Sequence, residues 1–299
     1  MINSRKRLTV IWLGHFLFCF GLLTHGWEVG AQEKSLLWKL EAGKNTVYLL
    51  GSIHLLKKDT ISGKPIIDEV FSKAKRLVFE IDIPRETPEK TQKLLMQKGV
   101  NLDGKTLQQK VSPETFQAAT TWANNLGIDV KMLSPFKPWV AALTLIVVQL
   151  QKLGYDPSFG IDRQLAQRAQ QANKPISGLE TAEYQFDVLD RLSPAMQEMM
   201  LRQSFTEMEQ LGKTVDEMVL AWRNGDVASA EKLFLESMTD FPEIREKLLD
   251  ERNRNWLPKI DGFLKLDEDV LVVVGAAHLL GKNGVIELLK SRGYKMEQM

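Results

Sequence analysis

Two short stretches carry the residues best suited to chemistry. VYLLGSIHLL runs from Val47 to Leu56, and LVVVGAAHLL runs from Leu271 to Leu280. Each has an apolar run, then Gly-x-x-His, then Leu-Leu. Imidazole is the commonest protein ligand for transition metals and the commonest general base near neutral pH. A glycine after a strand allows a tight turn and close approach of a ligand to the backbone. The histidine three positions on is then held at the carboxyl rim of a sheet, where α/β proteins bind ligands. If the two strands lie close, His54 and His278 face one crevice. The competing account is a pair of ordinary core histidines.

Two imidazoles hold one metal if a carboxylate completes the set. In RLVFEID, Glu80 and Asp82 alternate so as to share one strand face. Glu80 lies deeper in the apolar run, where an acid needs a partner, and Asp82 reads equally well as a solvated strand end. Glu180 closes SGLE before a helix, either as a catalytic carboxylate or as a favourable charge at a helix start. Asp162, after Gly160, reads as a first-turn charge. Leu248, Arg252, Trp256 and Ile260 recur every four residues, so Arg252 shares a stripe with three apolar side chains. An inward arginine wants a carboxylate, with Glu80 and Glu180 as candidates, or an anionic transition state; the alternative is a side chain that snorkels past Trp256 to water.

The elements that position these residues follow from pattern. Leu36–Glu41 and Thr46–Leu50 read as a hairpin about residues 42–45. Arg76–Ile83, Lys174–Glu180 and Asp269–Val274 read as strands, the last an interior one. Helices are expected over Pro65–Lys75, Pro88–Lys98, Pro113–Leu126, Pro138–Leu153, Gly160–Ala172 and Gly284–Arg292. A further series from Ala182 to Ile260 is broken at Pro194, Gly212, Gly225 and Pro242. Trp139–Leu150 is too short to span a bilayer and reads as a buried helix. Tyr294–Met299 reads as a last strand. The expected fold is α/β: a mixed central sheet from the N- and C-terminal parts, with a large helical insertion over about 84–265. Residues 32–299 read as a single domain, with a separate helical lobe as the alternative.

The chain has 299 residues, 44% hydrophobic and 26% charged, as befits a folded protein, and a net charge of +1 that gives no basic field for nucleic acid. Arg5, Lys6 and Arg7 precede an apolar stretch from Leu8 to Leu23, and Val29 and Ala31 then suit a cleavage site. This order predicts an export signal over residues 1–31 and a periplasmic or extracellular protein. The alternative is an uncleaved signal anchoring it to the inner membrane. Phe18 before Cys19 argues against lipidation. Export would remove Cys19, His15 and His25, leaving no cysteine and only His54 and His278 as histidines. A thiol could then be neither nucleophile nor ligand, and no disulfide could support the core. The zincin His-Glu-x-x-His, Gly-x-Ser-x-Gly, phosphate-loop and dinucleotide motifs are all absent from the sequence.

LWKLEAGKNTVYLLGSIHLL, RLVFEID, GLETAEYQ, ERNRNWLPKI and VVVGAAHLLGKNGVIELLKSRGY, in this order, resemble the TraB/GumN family. That family is similar to the Tiki metalloproteases and belongs to a wider group with erythromycin esterases and ChaN-like haem-binding proteins. The resemblance spans about Leu36 to Met299. It implies a mixed α/β fold, a site built from His54, His278 and Glu80, and an Arg-Asn pair at Arg252 and Asn253. The Tiki branch further implies metal-dependent peptide hydrolysis favouring Mn²⁺ or Co²⁺.

The expected function is therefore metal-dependent hydrolysis of a peptide or protein substrate. His54, Glu80 and His278 would be the metal ligands, with Glu80, Glu180 and Arg252 catalytic. Glu180, or Glu80 if it is not a ligand, would be the base, and Arg252 would steady the oxyanion. Nitrogen and oxygen ligands alone suit Mn²⁺, Co²⁺ or Zn²⁺. The rivals are metal-independent, esterase-like hydrolysis with histidine as base, and a non-catalytic module binding haem or a partner.

Overall fold

The apolar run of each Gly-x-x-His phrase forms an interior strand, and the two strands are neighbours. A computed structural model describes residues 34–42, 44–58, 60, 64–235 and 238–299; the expected export signal lies outside them. The strands are β1 (Leu37–Ala42), β2 (Asn45–Ser52), β3 (Arg76–Phe79), β4 (Ile176–Gly178), β5 (Val270–Gly275) and β6 (Met296–Gln298). They form one mixed sheet in the order β4-β3-β5-β2-β1-β6. The pairs β4–β3, β3–β5 and β5–β2 are parallel, and β1 runs antiparallel to both β2 and β6.

The register of the central pair decides where the histidines fall. Gly51 stands opposite Val274 and Ser52 opposite Gly275. Both phrases therefore leave the sheet at the same rim, one residue out of step. Every residue of β5 is buried, as expected of a parallel strand covered on both faces. At the opposite rim, Thr46 N–H bonds the Asp269 carboxylate at 2.7 Å. Asn45 Nδ2 reaches the carbonyls of Phe263 and Glu268. These bonds lock β2 against β5 from below and so fix the relative heights of His54 and His278.

β3 is shorter than the sequence pattern suggests. Its pairing ends at Phe79, opposite Gly178 on one side and Val273 on the other, and a 3₁₀ turn follows at Ile83–Arg85. Glu80 and Asp82 thus lie beyond the strand and do not share a strand face. The physical reason is Pro84: proline lacks the N–H a sheet ladder needs, and Arg85 N–H closes the turn on Asp82 O at 2.9 Å.

Helices cover the sheet and fill the middle of the chain. The apolar side chains of the sheet form one core with residues such as Leu165, Trp222, Trp256 and Leu289. A second apolar cluster joins Leu107, Ala123, Leu145, Leu201 and Met208 from the helices Leu107–Lys110, Pro113–Asn125, Pro138–Lys152 and Pro194–Met208. The expected break at Gly212 falls instead at Glu209–Gln210, and Gly212 sits in the first turn of Leu211–Asn224. A π-helical turn, Glu246–Asp250, runs directly into the helix Glu251–Phe263. Among the described residues no helix is long and apolar enough to cross a membrane.

Candidate functional site

His54 follows β2 by two residues and is held by contacts from a distant helix. Ile161 N–H donates to Ile53 O at 3.1 Å, and Leu56 exchanges backbone hydrogen bonds with Asp156. Gly160 is the closest point of approach: a Cβ there would stand 2.3 Å from the His54 carbonyl oxygen. With hydrogen in that place, the helix Ile161–Gln171 brings Asp162, in its first turn, to His54. The carboxylate Oδ2 lies 3.3 Å from Nδ1. A carboxylate only accepts, so Nδ1 carries a proton and Nε2 faces the site. Among the described residues the other oxygen, Asp162 Oδ1, is buried without a partner.

His278 is held by an equally determinate chain of bonds. Asn253 Nδ2 donates to the Asn283 carbonyl at 2.9 Å, which fixes the orientation of the amide. Its Oδ1 therefore accepts from His278 Nδ1 at 2.6 Å, and the lone pair is left on Nε2. Both rings thus turn Nε2 inward, each steadied at Nδ1 by an oxygen acceptor, the arrangement common behind metal-bound histidines. His54 stands half exposed at the pocket mouth, and His278 is buried against Trp256, with ring centroids 4.4 Å apart.

Glu80 sits between the rings. Its Oε1 lies 3.8 Å from Nε2 of each histidine and accepts the Gly275 N–H at 2.7 Å. Its Oε2 accepts from Arg252 Nη2 at 2.5 Å and from Gln185 Nε2 at 3.1 Å. Gly275 has a second role here. A Cβ at this position would stand 3.2 Å from both Glu80 Oε1 and His54 Nε2, so the glycine leaves open the space that the two flank. The mouth is a pocket of about 200 Å³, walled by Phe79, Ile81, Ile83 and Val273, with Glu86 and Arg163 among its polar lining.

Arg252 closes the cluster from beneath. Its five N–H groups all find acceptors: Nε on Glu180, Nη2 on Glu80 and Glu180, and Nη1 on Leu248 O at 2.9 Å and His278 Nε2 at 3.1 Å. Glu180 follows β4 and accepts from Arg252 at Oε1, from Gln185 at Oε1 and from Trp256 Nε1 at Oε2. Its carboxylate is therefore engaged in holding Arg252, which leaves it poorly placed as a base. Arg252, with every donor in use, contributes charge to the site rather than a hydrogen bond to an oxyanion. The pairing of Arg252 with Glu80 and Glu180 is the one the sequence offers for an inward arginine.

The electrostatics separate the two histidines. Packing around the ring disfavours charge on His54, but the hydrogen bond and charge of Asp162, with Glu80 behind, outweigh it and raise its pKa to about 9. Burial holds His278 down to about 3, against the pull of Glu80 and with the help of Arg252. Burial would raise Glu80, yet the neighbouring imidazoles, Arg252 and the Gly275 N–H bring it to about 2. Glu80 is thus a fixed anion, His278 a neutral ring and His54 a place where positive charge is favoured.

A divalent metal fits this arrangement in most respects. Two donors each about 2.0–2.2 Å from one ion stand no more than about 4.4 Å apart, and the 3.8 Å separations satisfy that. Both tautomers, the ligand types and the space above Gly275 also suit an ion. Against it stands Arg252, whose Nη1 already covers the His278 lone pair. Among the described residues no group of three His, Cys, Asp or Glu is placed to hold a metal as it stands.

The structure therefore brings His54, Glu80, Glu180, Arg252 and His278 together, and joins Asp162 and Asn253 to them. Asp82 stays outside and pairs with Arg85 at 3.2 Å. Gln185 and the indole N–H of Trp256 escaped the sequence reading. The signal for Gln185 was Thr181, which caps the helix Ala182–Asp190 and so turns Gln185 back toward Glu180.

The TraB/PrgY/gumN family model matches residues 36–298, and the chain belongs to that family. Among similar proteins, the uncharacterised protein YbaP of Escherichia coli (strain K12) is 28% identical over 255 residues, covering 83% of this chain and 89% of its own. The uncharacterised YbaP of Shigella flexneri matches to the same extent. An uncharacterised protein of Treponema pallidum (strain Nichols) is 25% identical over 188 residues, 61% of this chain and 55% of its own. No solved structure matches.

Proposed function

We propose that this TraB/PrgY/gumN family member is an exported hydrolase that cleaves peptide bonds at the Glu80 pocket with the help of a divalent metal. One observation carries the reading: Nε2 of His54 and of His278, from opposite ends of the chain, stand at equal distance from one carboxylate oxygen at the sheet rim. His54, Glu80 and His278 would hold the ion, with Mn²⁺ or Co²⁺ favoured by the family resemblance and Zn²⁺ also suited to the ligands. A bound ion supplies a water of lowered pKa and a polarised carbonyl. Asp162 and Asn253 keep both Nε2 atoms turned toward Glu80. Arg252 keeps Glu80 ionised and in place, and Glu180, Gln185 and Trp256 keep Arg252 in place. Phe79, Ile81, Ile83 and Val273 give the scissile group a partly dry wall, where such charges act more strongly than in water.

A second reading is metal-independent hydrolysis, and the contact of Arg252 with His278 Nε2 favours it. There His54, poised by Asp162, would act as the base, taking the proton of the attacking water at Nε2 and passing it to the leaving group. Purified protein assayed on a mixed peptide library, before and after chelation and with Mn²⁺ restored, separates the readings. Cleavage lost on chelation, regained with Mn²⁺ and absent from His54→Ala supports the metal reading; cleavage indifferent to chelation supports the second. No cleavage of peptide, amide or ester probes under any condition removes both.

A further inference from the structure

We propose that Arg252 is a resident cation that competes with a divalent ion for the Glu80–His278 pair, so that its anchors set the metal affinity of the site. The geometry is specific. One guanidinium donates to Glu80 Oε2 through Nη2 and faces the only free lone pair of His278 through Nη1. A lone pair serves one acceptor role at a time, and arginine cannot lose its charge to make way. Binding of an ion by both His278 and Glu80 therefore requires Nη1 to move off Nε2.

The surroundings of Arg252 oppose that movement. The side chain is about nine-tenths buried. It is tied to Glu180 through Nε and Nη2, and to the Leu248 carbonyl through Nη1. Its guanidinium carbon lies 5.0 Å from the Trp256 ring centroid. Leu248 lies within the π-helical turn Glu246–Asp250 just before the arginine; such turns often accompany functional sites. Glu180 is itself clamped by Trp256 Nε1 and Gln185 Nε2. Glu180 and its two clamps touch neither histidine ring by hydrogen bond among the described residues, yet they hold the group that covers one of them. They are positioning residues for Arg252 and, through it, for the third ligand. The inference rests on the metal reading of the site, but concerns binding rather than turnover.

The test is Mn²⁺ and Co²⁺ binding by the full-length protein at fixed pH, by calorimetry for affinity and by the Co²⁺ visible spectrum for ligand number. Arg252→Lys keeps a charge but loses the fork that reaches Glu80 and His278 together. Glu180→Gln loosens the anchor without touching a ligand, and remains informative if the lysine variant does not fold. The expected result is affinity at least 10-fold tighter in either variant than in the unaltered protein, with the same ligand number in the Co²⁺ spectrum. Equal or weaker affinity in the folded variants would overturn the competition while leaving metal-dependent hydrolysis standing. Binding in none of the proteins would overturn both. Tighter binding without cleavage of any probe would support the competition and count against hydrolysis alone.

Discussion

Replacing Gly275 with alanine isolates the space between His54 and Glu80 from everything else at the site. The backbone there has φ −52° and ψ 135°, which alanine adopts freely. The N–H that holds Glu80 Oε1 remains. The new methyl would stand 3.2 Å from Glu80 Oε1 and 3.2 Å from His54 Nε2, with His278 Cδ2 at an ordinary 3.7 Å. Relief needs a few tenths of an ångström, and the half-exposed His54 ring can supply it. Restricting the unfolded chain stabilises by about 0.4–1 kcal/mol, while mild overpacking works against it by a similar amount. Net stability should therefore change by no more than about 1 kcal/mol. The methyl, however, takes up roughly the room of one water, in the place where an ion or water would meet both donors. Loss of a catalytic occupant should lower kcat/KM by about 100-fold or more, equivalent to about 2.7 kcal/mol in the barrier. Thermal denaturation and peptide hydrolysis on the same preparation read both quantities. A Gly275→Ala protein with normal stability and normal cleavage would refute the placement of the reacting centre above Gly275.

Other expected outcomes follow from the same contacts. Glu180→Ala leaves buried Arg252 short of its main partner and Trp256 Nε1 without an acceptor, and should destabilise the fold by about 3–5 kcal/mol in denaturant titration. Metal-free protein should be most stable near pH 6.5. Glu80, lowered to about 2, loses its contribution as pH falls from the ordinary carboxylate range through that value, and His278, lowered to about 3, adds to the acid decline because only the unfolded ring takes up a proton below about 6.5. His54, raised to about 9, contributes fully below about 6.5 and loses that contribution as pH rises through 9; calorimetry of His54→Gln should show the alkaline decline removed. Mass spectrometry of protein recovered from the periplasm or medium should give an N-terminus at Gln32, and an intact Met1 would reject cleavage.

The strand pattern, the rim position of both Gly-x-x-His phrases and the five charged or imidazole side chains were legible because each depends on local periodicity. β5 reads as interior from its β-branched run, whereas its place beside β2, on which the shared crevice depends, comes only from the folded sheet. What was not legible depends on contacts between distant segments. Asp162 looks like a first-turn charge until Gly160 is seen to let its helix rest on the His54 carbonyl. Glu80 looks like a strand residue until the pairing of β3 with β4 and β5 ends at Phe79. The fourfold spacing of Arg252 with Leu248, Trp256 and Ile260 pointed it inward. It could not reveal that its Nη1 lies against His278 Nε2, or that Glu180 is engaged in holding it. The second apolar cluster, shared by at least four helices, is likewise invisible to the pattern of any one of them.

The central claim is that His54, Glu80 and His278 form one cation site at the rim between β2 and β5. Anomalous scattering from crystals soaked in Mn²⁺ tests it most directly. The account predicts a single strong peak above Gly275, within about 2.0–2.3 Å of His54 Nε2 and Glu80 Oε1, with Arg252 Nη1 drawn away from His278. A peak bound elsewhere, or none at full soaking with the arginine still on the ring, would contradict it.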